Sequence, residues 1–133
     1  MISDSLLPAI KERFPDLPFT FAEPPKPIAS LKSPCEALGT VDICDDGDEI
    51  TIYLGTATHS HFSCYEETLT EQAKEQQITS DVLEFLDKLL TDRVVVWCVA
   101  GGVAGGWRVL RAEENPPDPS MLKRQFLWSR EIR

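Results

Sequence analysis

Two runs of alternating apolar residues meet across an Asp-Gly turn, and no other stretch of the sequence limits the fold as strongly. Val41 and Ile43 alternate with Thr40 and Asp42, and Ile50, Ile52 and Leu54 alternate with Thr51 and Tyr53. Asp45-Asp46-Gly47-Asp48 breaks the pattern between them with residues suited to the positive φ angles of a tight turn. Successive side chains of a strand point to opposite faces, so the two runs predict an antiparallel hairpin with one apolar side. A third strand is expected over Thr58 to Tyr65.

The flanking segments extend this into a fold class. Leu6, Ile10 and Phe14 repeat at helical spacing behind a Ser3 or Ser5 cap, with Pro8 in the first turn and Pro15 as terminator. Seven of the ten prolines lie between Pro8 and Pro34, which predicts that residues 15–34 form a Pro-rich connector within a single domain. Pro24 and Pro27 match a bare PxxP pattern, which in this setting reads as connector. Glu66 to Gln77 is helix-forming but polar nearly all round, an exposed helix or an arm. A firmer helix follows a Ser80 or Asp81 cap, with Val82, Phe85, Leu86 and Leu89 on one side. Val94 to Ala100 is continuously apolar and rich in β-branched residues, as in a central strand covered on both faces. Gly101 to Gly106 then makes a turn, Trp107 to Ala112 returns, and a last strand is expected around Gln125 to Ser129. The order predicts an α+β domain with a mainly antiparallel sheet of about five to six strands. The N-terminal and central helices would pack on one face.

Charge is the second constraint. The chain of 133 residues has a net charge of −9, which excludes the basic footprint of a general nucleic-acid binder and of a surface that docks on anionic lipid. Residues 36–92 hold fourteen acids against two bases, and residues 93–133 hold seven bases against four acids. The acidic middle can steer a basic partner, and the segregation of charge equally suits a homo-oligomer that joins unlike ends. The longest uncharged stretch, Val94 to Trp107, is too short for the roughly 20 residues of a membrane helix, and the first residues lack a basic leader. A soluble, cytoplasmic protein with Cys35, Cys44, Cys64 and Cys98 reduced is the expectation.

The chemistry-bearing residues are few. His59 and His61, both histidines of the chain, would project from one face of a strand about 7 Å apart. That spacing suits a shared metal, zinc by preference, with a third ligand from elsewhere, for instance an acid in the hairpin. The simpler expectation is two solvent-facing histidines with Phe62 and Cys64 buried behind them. A Ser-His dyad finds no support, since neighbouring strand residues rarely face each other and there is no nucleophile elbow. The glycines of 101–106 do not fit a phosphate loop, and the acids of 45–49 do not fit an EF-hand. Trp97, Trp107 and Trp128 read as strand packing, although nearby arginines give Trp107 and Trp128 the composition of a hot spot.

Two functions compete on these grounds. The leading one is a small, non-catalytic interaction domain without a cofactor that binds a protein with a basic surface, in the manner of an immunity or inhibitor protein. Asp42, Asp45, Asp46, Asp48 and Glu49 would supply the charge, and Tyr53 and Tyr65 the aromatic anchors. The alternative is a metal-binding protein or metal-dependent hydrolase centred on His59 and His61, with a bound water as nucleophile.

Overall fold

A computed structural model describes residues 1–99, 102 and 104–133. The first helix, α1 (Ile2–Arg13), buries Ile2, Leu6 and Ile10, a single stripe at helical spacing. Pro8 lies in its interior and not in its first turn. The ring is on the exposed side of the helix, where the missing amide bond leaves a carbonyl that water can reach. The helix stops at Arg13, ahead of Pro15, as the sequence requires.

Five strands follow in a simple antiparallel meander: β1 (Thr20–Phe21), β2 (Ala29–Lys32), β3 (Thr40–Asp45), β4 (Glu49–Leu54) and β5 (Thr58–Ser63), side by side in chain order. The Pro-rich stretch 15–34 is therefore more than a connector, because it supplies two of these strands. Its prolines flank the ladder instead of interrupting it: β2 contains none, and Pro24-Pro25 lies in the β1–β2 loop. The expected hairpin is β3–β4, with Val41 opposite Leu54 and Ile43 opposite Ile52. Gly47 at its tip has φ +100°, the conformation for which the Asp-Gly pair is suited.

The central helix, α2 (Glu71–Leu90), is one continuous element. Thr70 caps it by accepting a hydrogen bond from the Ala73 amide at 3.1 Å. Of the two alternatives for Glu66 to Gln77 the structure has the helix, from Glu71 onward, but the separate cap expected at Ser80 or Asp81 does not occur. Ile78, Val82, Phe85, Leu86 and Leu89 bury the helix from its eighth residue onward, and the polar first two turns extend the same hydrogen-bond ladder. α1 packs along α2, and the two share one core with Ile43, Ile50, Ile52 and Leu54 of the sheet. Both helices therefore cover the same face of the meander, and the other face is left open.

A second sheet, β7–β6–β8, completes the α+β architecture with β6 (Val94–Val99), β7 (Gly105–Val109) and β8 (Lys123–Phe126), all antiparallel. Eight strands in two sheets replace the five to six expected. β6 is the middle strand and is covered on both sides where it is most apolar. Val94 and Val96 join the main core, and Val95 packs with Leu110, Leu127 and Ile132. Ala100, Gly101 and Val103, on which the end of the expected strand and part of the expected turn fall, lie outside the described residues. Trp128 is buried, and Trp107 meets Phe85 edge-on at 4.8 Å between ring centroids, so both serve packing. Among the described residues, no helix is long and apolar enough to cross a membrane.

Candidate functional site

Pairing register decides which side chains share the open face of the meander. Asp42 stands opposite Tyr53, and Tyr53 opposite His59; Cys44 stands opposite Thr51, and Thr51 opposite His61. Directly opposed residues in an antiparallel pair point to the same side, so these form two adjoining rows across three strands. Glu49 and Asp46 add a third row at the hairpin tip, where the Asp46 amide donates to the Glu49 carbonyl at 3.0 Å.

The contacts along these rows are polar and local. Asp42 accepts a 2.6 Å bond from the Ser30 hydroxyl. His59 lies 5.5 Å from the Tyr53 ring and 5.0 Å from the His61 ring, nearly perpendicular to the latter. The Thr51 side chain, 1% exposed, lies beneath the others. Its hydroxyl donates to the Asp46 carboxylate and stands 3.0 Å from His61 Nδ1. Because a hydroxyl has one proton, Thr51 can only accept from His61, so Nδ1 carries hydrogen in this arrangement. Glu49 Oε1 lies 3.3 Å from the same nitrogen. Burial, and after it the charges of Asp46 and Asp42, push the Cys44 thiol up, which holds it protonated in this acidic setting.

The structure distributes the expected site residues unevenly. Asp42, Asp46, Glu49 and Tyr53 share the open face with His59 and His61. Both imidazoles are exposed, and Phe62 and Cys64 pack against the core behind them. The donor atoms of Asp46, Glu49 and His61 gather within 4.8 Å of one another, and His59 is not part of that group. Asp48 and Tyr65 belong to a neighbouring groove of about 360 Å3 between the hairpin tip and the start of α2, whose lining includes Glu67, Glu71 and Glu75. Tyr65 is 80% exposed there.

Asp45 has a structural task. Its carboxylate accepts the Ser3 amide of α1 at 3.0 Å through one oxygen and the Gly47 amide at 2.9 Å through the other. It thus caps a helix 42 residues away in sequence and closes its own turn. Asp45→Ala is expected to cost about 1–2 kcal/mol of stability, as for loss of a helix cap. Urea denaturation followed by circular dichroism measures it, and a loss below about 0.5 kcal/mol, typical of an unconstrained surface site, would reject the capping role. No sequence signal near Ser3 points to this partner, because the cap arrives through the tertiary fold.

Comparison with known protein families, with curated proteins and with solved structures gives no match.

Proposed function

We propose that the chain is a small, non-catalytic protein-binding domain of the inhibitor or immunity type, and that its open sheet face receives a basic protein surface. The observation that carries this reading is the continuity of negative charge across the hairpin tip. Asp42, Asp46 and Glu49 lie on the uncovered face, Asp48 forms the rim, and Glu67, Glu71 and Glu75 line the groove beyond, against a single base, Lys74, which pairs with Glu71 at 3.6 Å. Among the residues of β1–β5 that share the open face, Lys32 is the one lysine or arginine.

Tyr53, 43% exposed, and Tyr65 supply amphipathic rings on either side of this rim, the residue type that anchors interfaces at low entropic cost. A rigid sheet face needs little ordering on binding, so complementary charge appears mainly as faster association. The bound protein would be basic, and the interaction would weaken as salt screens it.

The test is a charge reversal. A protein captured from lysate by the wild-type chain at low salt is purified and its kinetics measured against Asp42→Lys/Asp46→Lys/Glu49→Lys. Affinity is expected to fall at least about tenfold, mostly through the association rate. Thermal melting verifies that the variant is folded, and Tyr53→Ala, which changes no charge, should act on dissociation instead. Unchanged affinity in both variants would remove the open face from the interface.

A further inference from the structure

We propose that Asp46, Glu49 and His61 bind a single divalent cation of the zinc class at the tip of the β3–β4 hairpin. The three residues come from three places in the chain, the turn, the first position of β4 and the middle of β5, and the register brings them together. One donor atom from each lies within 4.8 Å of the other two. His61 Nδ1 and Glu49 Oε1 are 3.3 Å apart, which matches the edge of a tetrahedron around an ion with bonds of about 2.0 Å; coordination takes the other tautomer of His61, with the hydrogen moved to Nε2 and the Nδ1 lone pair free.

The donor set selects the ion. One imidazole and two carboxylates suit zinc and its first-row neighbours. Calcium takes six to eight oxygens, and magnesium retains most of its water. Three protein ligands leave a coordination position for water or for a group from a partner. His61 is half exposed, which provides a path for the ion, and the buried Thr51 hydroxyl beneath fixes the Asp46 carboxylate from behind. The ligand pair is therefore not the His59–His61 couple suggested by the sequence: His61 turns to the hairpin acids, and His59 lies against Tyr53.

The site shares Asp46 and Glu49 with the face proposed to receive a basic partner, and one substitution separates the two readings. His61→Ala removes a metal ligand without altering the acidic residues that would steer a basic partner. The reduced full chain is titrated with zinc chloride by isothermal calorimetry. One equivalent is expected to bind the wild type, with affinity at least about tenfold weaker in His61→Ala and in Glu49→Gln. His59→Ala and Cys44→Ser should bind as the wild type does. In the wild type, zinc should shift the amide and imidazole resonances of Asp46, Glu49 and His61, a readout that depends on no variant. Absence of binding, wild-type affinity in Glu49→Gln, or a loss in His59→Ala or Cys44→Ser equal to that in His61→Ala would each overturn the assignment.

Discussion

Replacing Gly105 with alanine is expected to lower the unfolding free energy by about 3 kcal/mol, the upper part of the range for overpacking. A Cβ built on Gly105 would fall 1.9 Å from the Ala57 carbonyl oxygen and 3.0 Å from the Trp97 carbonyl oxygen. Both obstacles are backbone, so no change of rotamer clears them. Relief requires β7 to move away from the turn that joins β4 to β5, and that motion would draw Trp107 off Phe85. The substitution thus tests whether the two sheets depend on close approach of their backbones. Urea denaturation followed by tryptophan fluorescence gives the number, and an unchanged midpoint would mean that β7 does not pack where it is described.

Leu86→Ala should be about as costly, about 3 kcal/mol, for the opposite reason. Leu86 is fully buried in the second half of α2, where that helix joins the core built by α1 and the meander. Truncation removes apolar contacts and leaves a cavity that surrounding elements, fixed by their own ladders, cannot fill. A loss below about 1 kcal/mol, closer to that of deleting a methylene than of emptying a leucine site, would show that the helix rests on the sheet more loosely.

The parts of this fold legible in the sequence were those specified by neighbours in the chain. The β3–β4 hairpin is written locally, with a period of two on each side of Asp46-Gly47, and β6 announces itself by an unbroken apolar run. The common face of His59 and His61 followed from parity alone. What escaped was set by residues far apart. The strands β1 and β2 lie between prolines whose density suggested an unpaired connector, and pairing with β3 outweighs that local signal. The single helix α2 crosses a stretch with little apolar content because its second half is firmly buried. Gly105 and Gly106 resembled turn residues, yet they are strand positions kept bare by the backbone of Ala57 and the ring of Trp97.

The same division runs through the candidate site. An acid of the hairpin was an expected source for a third ligand beside the histidines, but only the register of β5 against β4 singles out Asp46 and Glu49. Asp45, alike in composition, is spent on capping α1 because it faces the other way. Asp45 keeps the inward parity of Val41 and Ile43 at the end of β3, whereas Asp46 starts the turn, and a count of acids does not tell them apart.

The shortness of β1 has a consequence for how the protein meets others of its kind. This margin of the five-stranded sheet offers two residues, bracketed by Pro18 and Pro24, and proline has no amide to donate to an incoming strand. The opposite margin is partly taken up by β7. Growth of this sheet by successive addition of chains is therefore discouraged at both ends, which leaves β7 and β8 of the second sheet as the other edge strands of the fold. It also means that the meander offers a neighbour its side chains broadside more readily than a backbone ladder to lengthen.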